Sequence, residues 1–397
     1  MDRIGIFGGS FNPPHIGHIR AAINTASALG LTKVLLIPAR EVPHKHASPE
    51  DPTPEQRCEM LRLAAQRNEI LEVSDLELRR PGTSYTWETI CQLRERYPQA
   101  ELTLLLGSDM LRDFPQWKNA EDIMRTVSLA VLSRKEKQES AIHEDVQALR
   151  EKGVRVTCIQ NPVTDISSTQ LRRLLAFGCG GEFLPQGVES YIRTHGLYAT
   201  NANWKNLPME QLEPIVVRLL APSRVRHVLG CRDTCVALAE RWGADRTDAA
   251  RAGILHDITK ALDGPLQLTL CAAYGKILDD FSRKYPKTLH ALTGSLVAER
   301  IFGENERVVS AICSHTTGKA NMNLLESIVY VADYMEPNRD FPGVERLREL
   351  AFSDIRAALE LGLEMTLEHL KNQGSEVSPQ SREALNYLRT LKGENLC

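Results

Sequence analysis

In the first half of the chain, short apolar runs alternate with amphipathic stretches, the order expected when each strand is followed by a helix that covers a sheet. Residues 3–7 (RIGIF), 33–38 (KVLLIP), 71–78 (LEVSDLEL), 102–107 (LTLLLG), 128–132 (SLAVL) and 154–159 (VRVTCI) read as strands. Ile16–Leu29, Thr86–Arg96 and Thr169–Phe177 carry helical spacing. The pattern predicts an α/β unit on a doubly wound parallel sheet. After His195 the texture changes, because residues 200–211 (TNANWKNLPMEQ) are polar and loop-like, and beyond them the periodicity is helical with scarcely a strand signal. The expected division is a first domain over 1–200, a linker over 201–212 and an all-α bundle over 213–397. Helix breaks are expected at Ala221-Pro222-Ser223, Tyr285-Pro286 and Glu336-Pro337-Asn338. No internal repeat or low-complexity tract is visible.

Length supports the division, since 397 residues exceed what one ordinary core fills. Hydrophobic content of 42% with 25% charged residues is that of a soluble globular protein, and no apolar run approaches the ~20 residues that cross a bilayer. The opening residues, MDRIGIFGGSF, enter a strand-like run at once and carry no charged leader, so a cytoplasmic protein is expected. Nine cysteines without a CxxC pair, among them Cys91, Cys158, Cys235 and Cys313, read as reduced packing residues. A net charge of −3 gives no global attraction to nucleic acid, so any anionic ligand is held by local basic groups, as a small nucleotide would be. A homo-oligomer is left open.

The segment Gly8-Gly9-Ser10-Phe11-Asn12-Pro13-Pro14-His15-Ile16-Gly17-His18 follows the first strand and opens the first helix. That is where a phosphate is held: glycines admit a bulky anion close to the backbone, and helix N-terminal amides supply donors and a favourable dipole. His15 and His18, three apart, are expected on one helix face, donating together to phosphate oxygens. No Gly-Lys-Ser/Thr follows, which excludes a P-loop. The segment resembles the ATP motif of nucleotidyltransferases that share a His-x-Gly-His signature with class I aminoacyl-tRNA synthetases. Ile166-Ser167-Ser168-Thr169-Gln170-Leu171-Arg172 is similar to the second ATP motif of the same family, hydroxyls capping a helix and an arginine reaching phosphate oxygens. A tRNA synthetase is the rival, but no Lys-Met-Ser-Lys-Ser-like segment is present.

Within that superfamily, residues 1–197 most resemble bacterial nicotinate-nucleotide adenylyltransferase, which implies a Rossmann-like domain. Pro43-His44-Lys45, Ser84-Tyr85-Thr86, Gly107-Ser108-Asp109 and Phe114-Pro115-Gln116-Trp117-Lys118 resemble its patterns around the mononucleotide. The resemblance implies that Gly8, Gly9, Ser10, Phe11, His15, His18, Ser167, Ser168, Thr169 and Arg172 bind ATP. It further implies catalysis by His15, His18 and Arg172 with Mg²⁺, and a mononucleotide held by Lys45, Tyr85, Thr86, Asp109 and Trp117. Trp117 would stack on the pyridine ring. The implied reaction joins AMP from ATP to nicotinate mononucleotide; another phosphorylated acceptor is the alternative.

In the helical half, His227, His256-Asp257, His290, His315 and Asp333 lie within or at the ends of amphipathic stretches. Histidine with carboxylate is the ligand set of first-row metals, and such sites hold two ions about 3.5–4 Å apart. The ordered set resembles the HD phosphohydrolase superfamily, His290 and His315 resembling its two-metal branch. Arg226-His227, residues 255–260 (LHDITK), Leu289-His290, residues 314–318 (SHTTG) and residues 332–339 (ADYMEPNR) are similar to the YqeK-type symmetrical diadenosine tetraphosphate hydrolases over about 213–375. His290-Ala291-Leu292-Thr293-Gly294 departs from that family, where a run richer in Gly and Pro is expected. The resemblance implies two divalent or iron-type ions. One is held by His227, His256, Asp257 and Asp333, and Asp257 bridges to a second on His290 and His315. Lys260 and Arg339 are candidate phosphate contacts. The alternatives are another nucleotide substrate or a regulatory nucleotide-binding module.

Overall fold

The computed structural model describes residues 1–41, 51–133, 139–161 and 166–394. The chain forms two compact units, Met1–Ala202 and Asn203–Cys397.

The first unit runs β1 (Arg3–Gly9), α1 (Ile16–Leu29), β2 (Lys33–Pro38), α2 (Pro54–Ala65), β3 (Leu71–Val73), α3 (Thr86–Arg96), β4 (Glu101–Gly107), α4 (Ser108–Leu111), α5 (Ala120–Thr126), β5 (Ser128–Ser133), α6 (Glu139–Glu151), β6 (Val156–Gln160), α7 (Ser168–Ala176) and α8 (Val188–Thr194). The six strands pair in the order β3-β2-β1-β4-β5-β6, every pairing parallel. The apolar runs are nearly continuous because both faces of the sheet are covered. Ile4, Ile6, Leu104 and Val131 pack into one core with residues of α3, α5 and α6. Phe7, Leu36, Leu105 and Leu132 pack into the other with residues of α1 and α2. Strand order reverses between β1 and β4, and a doubly wound sheet opens its ligand crevice at the carboxyl ends of the strands there.

The strand expected over 71–78 stops at Val73. Leu36 accepts the Ser74 amide, and the chain then turns so that Glu77, 7% exposed, accepts a hydrogen bond from Thr89 Oγ1 at 2.6 Å under the start of α3. Satisfying that buried carboxylate takes precedence over further ladder pairing.

The second unit is helical throughout its described residues: α9 (Met209–Leu219), α10 (Pro222–Trp242), α11 (Arg246–Leu255), α12 (Gly264–Ala273), α13 (Asp280–Lys284), α14 (Leu289–Arg300), α15 (Glu306–Ser314), α16 (Leu324–Met335), α17 (Val344–Ser353), α18 (Ile355–Asn372) and α19 (Pro379–Glu394). Pro222 sits at the first turn of α10, Pro286 follows α13, and α16 ends just before Pro337. Helix α10 packs against α11 and α16, and α14 against α15. The segment 201–212 is not a free linker. Trp204, 7% exposed, stacks on Phe302 at 5.8 Å, and α9 starts at Met209 although Pro214 lies inside it. Leu212 and Val216, both fully buried one turn apart, supply the apolar contact that holds the helix across its proline.

All eight described cysteines are free thiols. Of the four expected to pack inside, Cys235 is buried, Cys91 and Cys313 are half-buried, and Cys158 on the edge strand β6 is exposed. Among the described residues, no helix is long and apolar enough to cross a membrane.

Candidate active sites

The first site starts where β1 ends. Gly8 has open space where a Cβ would stand, so the backbone there can be approached closely. Ser10 is pinned from below by Arg57, a 6%-exposed guanidinium that donates to the carbonyls of Ser10 (2.6 Å), Ala39 (2.7 Å) and Arg40 (3.0 Å). Phe11 is only 2% exposed; its ring meets Phe7 edge-on at 5.6 Å and His18 at 5.2 Å. Its side chain therefore packs inward and props up His18.

His15 is not on the helix face. It is the N-cap of α1, with φ −129° and ψ 167°, and its ring lies over that of His18 with centroids 3.6 Å apart. The His15 backbone amide donates to His18 Nδ1 at 3.2 Å. With Nδ1 accepting, a neutral His18 carries its proton on Nε2, so that edge is a donor.

The second motif docks directly on the first. Arg172 donates to the Asn12 carbonyl at 2.7 Å and to Thr169 Oγ1 at 3.2 Å, and Ser168 Oγ donates to the Pro13 carbonyl at 3.0 Å. Ser167 caps α7 by accepting from the Gln170 amide, and is thereby committed to the helix. Tyr198 Oη adds a hydrogen bond to Asn12 Oδ1 at 2.7 Å.

The expected mononucleotide residues are gathered in part. Tyr85 caps α3, Thr86 begins it, and Lys118 Nζ lies 4.1 Å over the Tyr85 ring while pairing with Glu88 at 3.0 Å. Trp117 is half-buried with its ring edge-on to Phe114 at 5.3 Å. Asp109 is exposed at the start of α4, folded back over Gly107. Lys45, with Pro43 and His44, lies outside the described residues.

The second site is a convergence of imidazole nitrogens. His256, His290 and His315 each direct Nδ1 at the carbonyl three residues earlier, on Gly253 (2.7 Å), Lys287 (2.9 Å) and Ile312 (2.7 Å). His227 directs Nδ1 at Glu336 Oε1, 3.1 Å away. A carbonyl or carboxylate opposite Nδ1 calls for a proton there, which leaves the Nε2 lone pair facing inward. Nε2 of His227 lies 3.2 Å from Nε2 of His256 and 3.1 Å from Asp333 Oδ1. Asp257 stands between the groups: Oδ2 is 3.7 Å from His227 Nε2 and 3.5 Å from His256 Nε2, and Oδ1 is 3.5 Å from His290 Nε2 and 3.7 Å from His315 Nε2.

The donor set fits cations. Two inward lone pairs at 3.2 Å repel unless positive charge lies between them, and Asp257 Oδ1 is buried without a hydrogen bond among the described residues. Donors 3–4 Å apart match what bonds of about 2.1 Å to a shared ion enclose. Two ligand groups arise, His227-His256-Asp333 and His256-Asp257-His315. Burial would push both carboxyls up, but the imidazoles hold Asp257 and Asp333 well below the usual range. Burial beside Lys260 pushes His290 down to about 3, so it stays neutral and ready to ligate.

Lys260 Nζ reaches His290 Nε2 at 2.9 Å, and Arg339 donates to Asp333 Oδ1 at 2.6 Å, so both candidate phosphate contacts border the cluster. Gly294 faces the His256 carbonyl, which a Cβ would approach to 3.1 Å, so α14 passes closely behind His256.

Two family models match the chain: Cytidylyltransferase-like over residues 6–174 and HD domain over residues 224–338. A "Probable nicotinate-nucleotide adenylyltransferase" of Pelobacter propionicus is 38% identical over 213 residues, covering 50% of this chain and 98% of that protein. One of Thermus thermophilus is 39% identical over 197 residues, covering 49% of this chain and 99% of the relative. The chain belongs to the nicotinate-nucleotide adenylyltransferase family. It carries an HD domain as well. A solved structure from Clostridium acetobutylicum, titled as a predicted HD superfamily hydrolase involved in NAD metabolism, is 36% identical, covers 46% of this chain and 98% of its own, and has a TM-score of 0.45. HD domains bind divalent metals, in keeping with the ligand groups above.

Around the adenylyltransferase motifs, sequence reasoning missed Arg57, whose one signal is a cation on the apolar side of α2 beside Cys58, Met60 and Leu61. In the HD domain it missed Glu336 and Arg224. Glu336 is 1% exposed and accepts from the Asn338 backbone and side-chain nitrogens at 2.8 Å, which aims its other oxygen at His227. Gly230 makes room for it, since a Cβ there would overlap Glu336 Oε2. Arg224 donates from Nε to Asp257 Oδ2 at 2.6 Å, and its second terminal nitrogen binds the same oxygen.

Proposed function

We propose that the chain is a bifunctional enzyme. Its first unit transfers AMP from ATP to nicotinate mononucleotide, giving deamido-NAD and pyrophosphate, and its HD unit hydrolyses diadenosine tetraphosphate symmetrically to two ADP.

For the transferase, the reading rests on the docking of Arg172 and Ser168 onto Asn12 and Pro13 beside the stacked His15–His18 pair. The acceptor phosphate is already an anion, so it attacks the α-phosphorus without a general base, and the bond to pyrophosphate breaks as the new one forms. Positioning and charge neutralisation are what the protein must supply. His18, donating from Nε2, and Arg172 meet charge gathering on the phosphates, with the backbone of Gly8, Gly9, Ser10 and Phe11 and the Thr169 hydroxyl around the ATP. Mg²⁺, when bound, would neutralise the triphosphate. Tyr85, Thr86, Trp117 and Asp109 would bind the mononucleotide, a role that the sequence resemblance extends to Lys45.

For the hydrolase, the reading rests on four Nε2 lone pairs converging on two carboxylates. His227, His256, Asp257 and Asp333 would hold one ion, and Asp257, His290 and His315 a second. Such ions polarise water and a phosphoryl oxygen together. Lys260 and Arg339 would draw the polyphosphate against the cluster, and the addition of one water across the central P–O bond yields two ADP.

The test is an assay of the purified chain with ATP plus either nicotinate or nicotinamide mononucleotide, and with diadenosine tetraphosphate in the presence of Mn²⁺ or Fe²⁺. The expected products are deamido-NAD, made in preference to NAD, and ADP alone. AMP plus ATP from the tetraphosphate, or no hydrolysis with either metal, would overturn the hydrolase half. Equal use of the two mononucleotides would overturn the acceptor assignment.

A further inference from the structure

A cavity of about 310 Å³ opens beside His227, lined by Ser223, Arg224, Arg226, His227, Glu336, Asn338 and Arg339. Three guanidiniums on one small cavity make it a receptor for a polyvalent anion. Arg226 is exposed and has no ion-pair partner among the described residues, whereas the other two are engaged with the ligand carboxylates. Arg224 binds Asp257 Oδ2 through two nitrogens, and Arg339 binds Asp333 through both its Oδ1 at 2.6 Å and its carbonyl at 2.9 Å.

Asp257 Oδ2 and Asp333 Oδ1 are thus each claimed twice. Both face the inward Nε2 atoms of His227 and His256, and both are bound by a guanidinium. A divalent ion on either oxygen would sit within about 5 Å of the arginine charge, a repulsion strong in this half-enclosed setting. The two guanidiniums stay only if they find another anion close by, and the cavity they line is where one fits. Arg224 is 27% and Arg339 33% exposed, so each has room to turn.

We propose that Arg224 and Arg339 exchange partners between the ligand carboxylates and the phosphates of a nucleoside diphosphate moiety in this cavity, so that cation loading and phosphate binding reinforce each other. This rests on reading the HD site as a metal-dependent phosphohydrolase. Arg224 then acts against the cation when no phosphate is present and in its favour when one is. By linkage, the factor by which the nucleotide tightens the cation equals that by which the cation tightens the nucleotide.

The experiment titrates the full chain with Mn²⁺, with and without ADP, by calorimetry, using a His256→Ala chain as the blank for Mn²⁺ and ADP held by the transferase unit. In the wild-type chain, ADP is expected to tighten Mn²⁺ binding at least tenfold. Arg224→Gln is expected to bind Mn²⁺ at least fivefold more tightly than wild type without ADP, with the effect of ADP reduced below threefold. Arg224→Lys, which keeps the charge but not the fork, should fall between. Weaker Mn²⁺ binding by Arg224→Gln, or undiminished coupling, would overturn the proposal, because a residue that merely props Asp257 in place gives that result. Coupling as expected with intact diadenosine tetraphosphate would remove only the substrate assignment; hydrolysis with unaltered coupling would remove only the exchange.

Discussion

The two proposed sites would handle phosphate in opposite ways. The transferase site is a stretch of main chain: residues 8–18 form its floor, and three side chains from elsewhere, Arg57, Ser168 and Arg172, hold it by gripping backbone carbonyls. The HD site has no such stretch. Its donors come from residues spread between 227 and 333, each imidazole fixed by its own Nδ1 partner. A triphosphate is a large anion that needs a concave surface of donors, which a loop at a strand end provides. A small cation needs point donors placed to within a few tenths of an ångström, which rigid helices provide.

The sharpest way to break this contrast is Asp257→Asn. With the shared carboxylate neutralised, hydrolysis should fall by about three orders of magnitude or more while adenylyl transfer stays within twofold, the two assays being run on one preparation. A parallel fall in transfer would show that the sites are not separate devices. His18→Ala is the mirror experiment. Turnover of ATP should fall by about 10²–10³-fold with hydrolysis unchanged, the magnitude of removing one well-placed donor. Glu336→Gln probes the supports instead of the donors: the Nδ1 partner loses its charge, and Mn²⁺ affinity should drop by about 10–100-fold by titration, the cost usual for a partner behind a metal-binding imidazole. At the small end, Asn323→Ala removes the cap that accepts from the Glu326 amide at 3.0 Å. It should lower helical-unit stability by about 1 kcal/mol in denaturant unfolding and leave both activities intact.

What could be read from sequence follows the same division. The first ATP motif is contiguous, so its place after β1 and before α1 was evident, and the sheet's continuous apolar runs gave five of six strands nearly to length. The His15 cap escaped, because spacing of three suggests a helix face whether or not the first residue is helical. The burial of the Phe11 ring was not legible either, since nothing local tells which way a ring at φ 45° turns. The six metal-type residues were legible only as an ordered set. Their supports were not, because Glu336 meets His227 across 109 residues, Arg57 meets Ser10 across 47, and Arg224 meets Asp257 across 33. Such partnerships are fixed by how helices cross, which periodicity does not encode. The start of the helical unit was placed too late for a related reason: Trp204 looks like a loop residue until Phe302 is set against it.

Gly230 turns this dependence into a constraint on how far α10 can be improved. Replacing a mid-helix glycine with alanine ordinarily gains roughly 1 kcal/mol, so protein engineers seek out such positions. Here the added methyl would evict the carboxylate behind His227, leaving all six donors in the chain but one of them unsteadied. A sturdier helix and a weaker grip on the ion would arrive in the same substitution, and a stability screen alone would score it a success.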